Sequence, residues 1–315
     1  MTKTQSWTYF NPTFEYKSDF DDHNWPWAGH IYWAYDLIRN IHPKTVVELG
    51  THKGTSFFSF CQAAKDISLK NEIFAVDTWE GDEQAGFYGQ EIYDAVVSIT
   101  RRFYIEQNTR LLKMTFDEAL NKFADKSIDL LHIDGLHTYE AVKHDYDSWK
   151  GKVKDDGIIM FHDIKVPDFG VWEVWKEVKE DNKDAIIIEF EHNFGLGVVI
   201  KDQQLKQIFT EEFISHIIEY YKKSAGFHIH KEETKSLESR INNLEVIINS
   251  LTSERDNYFN MYNAASSELE GLKSHTNIIE NDLKKEKNYV HSITTRKGFK
   301  VYNKVLKLLG KDFKF

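Results

Sequence analysis

Acids and imidazoles gather at two points of this sequence. One is Leu131-His132-Ile133-Asp134-Gly135-Leu136-His137-Thr138-Tyr139-Glu140, and the other is His162-Asp163, directly after Phe161. Carboxylates beside imidazoles suit two kinds of chemistry: holding a hard divalent cation, or positioning a general base. Earlier, Glu48-Leu49-Gly50-Thr51-His52-Lys53-Gly54-Thr55-Ser56 sets two glycines four residues apart, which permits a tight turn and close approach of backbone to a ligand. Next comes Asp77-Thr78-Trp79-Glu80-Gly81-Asp82. An acid at position 77 can accept hydrogen bonds from ribose hydroxyls and an indole at 79 can stack on a base, so the two segments together point to a nucleoside ligand. The glycines do not follow G-x-G-x-x-G, and no Lys-Ser/Thr pair follows Gly54, which argues against dinucleotide and nucleoside-triphosphate sites. His132 reads as a core histidine within a strand, while His144 and Asp145 read as solvated or capping residues on the next helix.

These residues need a scaffold that brings them to one edge. Short Val/Ile/Leu-rich runs predict strands at 45–49, 73–77, 109–114, 128–133, 157–161, 185–190 and 195–200. Between them, amphipathic stretches predict helices at 54–67, 90–105, 115–124, 138–150 and 170–181. Alternation of this kind specifies an α/β fold, a mostly parallel sheet covered on both faces. Only His192-Asn193-Phe194 separates the last two strands, so the sheet should close with one antiparallel strand. In such a sheet ligands bind beyond the carboxyl ends of the strands, where all the unusual residues above fall.

A further amphipathic helix is expected at 203–223, then a short break at Ser224-Ala225-Gly226-Phe227. From 237 a heptad runs for about eight repeats. One seam is Leu237, Leu244, Leu251, Tyr258, Ala265, Leu272, Ile279 and Glu286; the other is Ile241, Ile248, Arg255, Tyr262, Leu269, Thr276, Leu283 and Val290. It predicts a coiled coil over 231–291 and a homo-oligomer. Residues 296–315 hold seven Lys/Arg against one Asp, with Lys300, Lys304, Lys307, Lys311 and Lys314 on one stripe and Phe299, Tyr302, Val305, Leu306, Leu309 and Phe313 on the other face. A basic amphipathic helix with aromatic anchors reads as binding an anionic membrane surface. The domains expected are thus an aromatic N-terminal cap at 1–43, a sheet domain at 44–225, the coiled coil, and the tail.

Composition narrows the function classes. Over 315 residues, Lys+Arg total 40 and Asp+Glu 50, a formal charge of −10, so nucleic acid is not the expected partner. An aromatic content of 14% is too high for a disordered chain. The single cysteine, Cys61, excludes an internal disulfide framework and a multi-cysteine zinc site. No run approaches a membrane span, and the first residues lack an uninterrupted apolar stretch, so the expected place is the cytoplasm, at the inner face of a membrane.

The segments VVELGTHKGTSFFSF, VDTWEGD, LLHIDGLHTYEAVKHDYDSW, GIIMFHD and FGVWEVWKEV resemble class I S-adenosylmethionine-dependent methyltransferases, and most of all the bacterial group called methyltransferase domain 24. The resemblance covers about half of the chain, from about 44 to 200, and implies a Rossmann-like seven-stranded sheet with an antiparallel last strand. It implies that Glu48, Gly50, Thr51, Gly54, Thr55 and Ser56 hold the methionine part of the cofactor. Asp77 would bind the ribose, with Thr78 and Trp79 beside the adenine, and Asp134 would also border the cofactor. In similar sugar O-methyltransferases a strand-end Asp and a paired acid bind Mg2+, and a His acts as base. Carried over, Asp134 and Asp163 become metal ligands, with His162 in the position of the pair's first acid, and His137 with Asp134 becomes catalytic. His162 is a departure, since imidazole is a poorer magnesium ligand. The function so implied is O-methylation of a glycan, a sugar hydroxyl of a bacterial surface polysaccharide or its lipid-linked precursor. The aromatic N-terminus and the Trp172/Trp175 pair would offer ring faces to a sugar. The rivals are a small-molecule O-methyltransferase and a non-catalytic coiled-coil scaffold with a cofactor-binding module.

Overall fold

A computed structural model describes residues 6–18, 26–84, 86–295 and 297–309. It divides into two compact units, Met1–Ser236 and Leu237–Phe315.

The first unit is built on strands β1 (Thr45–Leu49), β2 (Glu72–Asp77), β5 (Asn108–Lys113), β6 (Ile128–Ile133), β7 (Val153–His162), β8 (Ile186–Phe190) and β9 (Leu196–Ile200). A two-stranded ribbon, β3 (Gly81–Asp82) and β4 (Gly86–Phe87), lies between β2 and the third sheet strand. Sheet order is β5-β2-β1-β6-β7-β9-β8, parallel except at β9, which pairs antiparallel with both β7 and β8. The chain leaves β7 for the sheet edge at β8 and then inserts β9 between them, so the expected antiparallel strand is internal.

Alternate residues of each strand serve opposite faces, as a pleated strand buried on both sides requires. Val46, Ile73, Ala75, Leu130 and Met160 pack toward α1 (Ile31–Ile41), α2 (Thr55–Asp66) and α3 (Gln90–Phe103). Val47, Val76, Leu131, Ile159 and Phe161 pack toward α4 (Phe116–Leu120), α5 (Tyr139–Trp149) and α6 (Val171–Asp181). Helix α1 lies within the segment expected as an aromatic cap. Its Ile31, Ala34, Tyr35 and Ile38 recur at helical spacing on the buried side, and His42 ends it in a left-handed turn (φ 56°), its N–H bonded to the Ile38 carbonyl.

After β9 comes a 3-10 turn, Gln203–Gln207, and then α7, Glu211–Thr295, 85 residues long. Two expectations change here. The helix expected from 203 begins at 211, where the Thr210 hydroxyl accepts the Phe213 N–H at 3.2 Å. No break occurs at Ser224–Phe227: Ala225 is buried in the first unit, and a lone glycine in a helix costs only about 1 kcal/mol against alanine. Inside this unit, the Tyr221 hydroxyl donates to the Asp36 carboxylate at 2.6 Å and accepts the Trp7 indole N–H at 3.1 Å. Burial pushes Asp36 up to about 7, against the bonds from Tyr221 and the Phe10 N–H, which favour its charged form.

In the second unit the apolar heptad positions are exposed, including Leu244, Ile248, Leu251, Leu269, Leu272 and Leu283. Helix α8, Lys297–Leu308, follows, with Lys300, Lys304 and Lys307 exposed on it. Lys311, Phe313 and Lys314 lie outside the described residues. Among the described residues no helix is long and apolar enough to cross a membrane.

Tyr221→Phe removes the hydroxyl that satisfies a buried carboxylate and an indole. It is expected to lower stability by about 1–3 kcal/mol, read by urea unfolding at pH 8, where Asp36 is ionised.

Candidate active site

Strand order runs outward from β1 in both directions, so the sheet has a switch point between β1 and β6, where Leu49 pairs with Ile133. The loops that follow these strands are in direct backbone contact. Asp134 N–H donates to the Leu49 carbonyl at 2.8 Å. Gly50 has φ 87°, and a Cβ there would lie 1.9 Å from the Asp134 carbonyl oxygen. Glycine is therefore required on two grounds, its left-handed backbone and the lack of room.

A cavity of about 670 Å³ opens above this contact. Its floor is the glycine loop: Gly50, Thr51, Gly54, Thr55 and Ser56 all line it. Helix α2 begins here on Gly54, and no side chain caps its first turn. Uncapped N–H groups at the positive end of a helix dipole form a ready place for a carboxylate. Thr51 adds a buried hydroxyl without a partner among the described residues.

Three residues expected in the cofactor site do other work. Asp77 lines the cavity, but its carboxylate is largely committed to the fold. Oδ2 accepts the N–H groups of Thr51 and His52, each at 2.8 Å, and Oδ1 accepts that of Trp79 at 2.7 Å. It thus fixes the glycine loop to the end of β2. Trp79 does not line the cavity. It is 1% exposed, its indole donates to the His52 carbonyl at 2.9 Å, and its ring packs on Tyr93. Glu48 is fully buried one layer below, with Oε1 at 3.0 Å from His132 Nδ1 on the adjacent strand. That contact bears out His132 as a core histidine. The wall on this side is supplied by Thr78, Tyr88, Thr115 and Phe116, and the His52 ring lies 4.8 Å from that of Tyr88.

The opposite wall is the acid–imidazole rim. Asp134, His137, His162 and Asp163 all line the cavity, as strand-end placement demands. His137 Nε2 is 2.8 Å from Asp163 Oδ2 and 3.7 Å from Asp134 Oδ1; His162 Nδ1 is 3.1 Å and 3.6 Å from the same two oxygens. Burial works against charge on every one of these groups, but mutual attraction outweighs it. The facing carboxylates push His137 up to about 9 and His162 up to about 10, and the imidazoles hold Asp134 and Asp163 below the usual carboxylate range. The rim is consequently a pair of anions and a pair of cations at neutral pH. The His137 ring stacks on Phe169 (centroids 4.4 Å, 5° between planes), and its backbone N–H donates to Gln84 Oε1 at 2.8 Å. Asp163 sits in the left-handed region (φ 63°) at the end of β7. One ligand atom from each of Asp134, His162 and Asp163 lies within 4.8 Å of the others. Two oxygens and a nitrogen are a poor match to Mg2+, which takes oxygen ligands, so no magnesium chemistry is derived from them.

Two aromatic residues complete the cavity near the rim. Trp27, from the N-terminal segment, has its ring 5.7 Å from that of His162, and Phe194 is half-exposed. The segments that carry them are locked together. His30 Nε2–H donates to the Asn193 carbonyl at 3.2 Å, His192 Nε2–H donates to the Gly29 carbonyl at 3.3 Å, and the two rings lie 4.6 Å apart. Burial, then the neighbouring His162, holds His30 well below the usual imidazole range, so it is neutral. Asn193 and Phe194 both have positive φ (48° and 69°). The Trp172/Trp175 pair does not line the cavity: Trp175 is buried in the core, with its indole donating to Glu189 at 2.5 Å, and Lys176 lies over Trp172.

On α5, His144 is exposed and paired with Asp117, as expected, but Asp145 is neither solvated nor capping. It is buried against Gly135, and burial pushes it up to about 7, with no amide or hydroxyl donating to it among the described residues. Its folded value lies above its unfolded one, so the folded protein binds the extra proton and stability falls as pH rises from about 4 to 7. Asp145→Asn is therefore expected to raise Tm at pH 8, by about 2–4 °C for each kcal/mol recovered, with the gap closing near pH 4.

Residues 47–164 match the model of a family described as a methyltransferase domain. A relative from Sinorhizobium fredii, an uncharacterized protein, is 40% identical over 190 residues, which is 60% of this chain and 20% of that one. The chain thus spans about a fifth of the length of the curated relative it matches. Among solved structures, a SAH-bound Podospora anserina methyltransferase aligns with 61% of this chain and 98% of its own, at 13% identity and a TM-score of 0.43. A TDP-rhamnose 3'-O-methyltransferase of calicheamicin biosynthesis aligns with 55% of this chain and 77% of its own, at 15% identity and a TM-score of 0.43.

Proposed function

We propose, from the methyltransferase domain that residues 47–164 form, that this chain transfers the methyl group of S-adenosylmethionine to a hydroxyl oxygen. The acceptor is a sugar hydroxyl of a bacterial surface polysaccharide or its lipid-linked precursor. One observation carries the reading: a single cavity joins the glycine loop and the uncapped start of α2 to the acid–imidazole rim.

The amino-acid end of the cofactor lies on Gly50–Ser56, with its carboxylate toward the α2 N-terminus, and the adenosine end runs along Thr78, Tyr88 and Phe116. Transfer is an in-line displacement. The C–S bond of the sulfonium breaks, its electron pair stays on sulfur, and a C–O bond forms. Sulfur leaves neutral and needs no proton, so the protein's main task is to align oxygen, carbon and sulfur, worth about 7–11 kcal/mol. The hydroxyl proton must go to a base. His137 takes it in its neutral form, the share of which grows as pH rises toward about 9: its ring is held on Phe169, Nε2 faces Asp163, and Nδ1 has no partner among the described residues. Asp134 and Asp163 stabilise the imidazolium that forms, in the manner of an acid that orients a catalytic histidine. The faces of Trp27 and Phe194 suit the C–H face of a sugar ring.

The exposed heptad seams of α7 pair with a second copy in a coiled coil, since an apolar stripe of that length is unstable in water. The basic face of α8, with the residues after it, binds anionic lipid and keeps the enzyme beside lipid-anchored glycan at the inner membrane face.

Calorimetry with S-adenosylmethionine, followed by methyl uptake into nucleotide-activated and polymeric sugars, tests the central claim. His137→Gln is expected to keep cofactor affinity and lose about 10²–10⁴ in turnover; full turnover in that variant would remove His137 as base. Methyl uptake by small phenols alone would replace the sugar reading with a small-molecule one, and cofactor binding without any transfer would favour the scaffold. Separately, deletion of 296–315 is expected to abolish co-sedimentation with phosphatidylserine vesicles at low salt, and unchanged binding would exclude the tail as anchor.

A further inference from the structure

We propose that Gln84 is a positioning residue for His137: carried by the β3–β4 ribbon, it ties the adenosine wall of the cavity to the backbone of the base. The inference rests on the reading of His137 as base and extends it to a segment that supplies no reacting group.

The ribbon is short and closely fixed. Gly81 pairs with Phe87 and Asp82 with Gly86, and the Tyr88 N–H donates to the Glu80 carbonyl at 3.2 Å. Gly81 has φ 76°, and a Cβ there would lie 2.1 Å from the Gly86 carbonyl oxygen, so the two strands close only on glycine. In the turn between them, Asp82 Oδ1 accepts the Gln84 N–H at 2.7 Å, a local side-chain bond that sets the backbone of residue 84. From there Gln84 lines the cavity, and its Oε1 accepts the N–H of His137, 53 residues away in sequence, at 2.8 Å. Tyr88, at the other end of the ribbon, stands in the adenosine wall against the His52 ring.

The other holds on His137 come from the chain after β7. Asp163 meets Nε2, Phe169 stacks on the ring, and the Gly170 N–H donates to the His137 carbonyl at 2.8 Å. These grip the ring and the carbonyl. The Gln84 bond fixes the remaining backbone group, the N–H, and with it the plane of the 136–137 peptide from which the side chain springs. Without the acceptor that plane can turn, and a shift near 1 Å in a reacting group can cost about 10²-fold in rate. One neutral hydrogen bond changes the population of the held state by only about 2–10-fold, so the smaller figure bounds the effect of losing it.

The test uses the full-length chain, S-adenosylmethionine and a nucleotide-activated sugar that it methylates. Gln84→Ala is expected to lower kcat by about 2–10-fold, with KM for the sugar and calorimetric cofactor affinity unchanged. In the same variant, hydrogen-exchange mass spectrometry of peptides across 134–140 should show one amide exchanging faster. Gln84→Glu keeps an acceptor oxygen and should keep the slow exchange; its negative charge favours the imidazolium, so its turnover approaches that of the unaltered chain as pH rises. In a His137→Gln background, Gln84→Ala should cost nothing further, because it acts through that side chain. Unchanged exchange in Gln84→Ala would overturn the tether. So would losses that multiply in the double variant, the mark of a general structural effect, or a rise in KM alone, which would make Gln84 a contact to the acceptor. Full turnover in His137→Gln, or no transfer to any sugar by the unaltered chain, is the failure of the base reading itself, and it removes the positioning role whatever the exchange rates.

Discussion

The whole site rests on one steric constraint, the approach of the loop after β1 to the backbone after β6. A side chain at position 50 would strike the Asp134 carbonyl, so the two loops can touch only if that residue is glycine. Their contact sets the cavity floor and the rim in fixed relation, because Asp134 follows from one strand and the glycine loop from the other. Asp77 extends the same logic. It spends its carboxylate on the N–H groups of Thr51, His52 and Trp79, and so ties the third strand end to the first. The floor is therefore held by backbone hydrogen bonds to a carboxylate, with the Trp79 indole on the His52 carbonyl beside them.

Electrostatics sets the character of the opposite wall. Isolated carboxylates this deeply buried would take up protons, and isolated imidazoles would lose theirs. Together they stay charged, because each carboxylate faces two rings and each ring two carboxylates. A nearly neutral quartet can sit in a partly closed cavity where any member alone would be expelled or discharged. Asp145, close by but without a cation in contact, has the opposite fate and is shifted toward the neutral acid.

Much of the fold and about half of the site could be read from the residues. Strand runs such as Val46-Val47 and Leu130-Leu131 are apolar on both faces, which only a covered parallel sheet explains. From there, strand-end position alone brings Asp134, His137, His162 and Asp163 together. Roles within a loop were less legible. Trp79 and Glu48 have the right types and spacing for a ligand, yet each is turned inward by a partner distant in sequence, the His52 carbonyl and His132. Spacing cannot reveal which way a side chain faces at a strand end. Likewise Gly226 suggested a helix end, but the packing of Ala225 and Tyr221 on the first unit outweighs the small helical penalty of glycine. Phe194 carried a signal that went unused, an aromatic residue in a hairpin turn, where burial does not require one.

The paired histidine bonds between the N-terminal segment and the last hairpin divide the cavity walls into two parts held by different means. Residues 29–30 and 192–193 hold each other through main-chain carbonyls, which carry no side-chain identity, so neither bond constrains what Trp27 or Phe194 may become. The glycine-loop side, by contrast, is held by the steric demand at Gly50 and by the carboxylate of Asp77. A substitution at the exposed Phe194 is then expected to reshape the cavity mouth without disturbing the floor, whereas one at Gly50 or Asp77 undoes the floor itself.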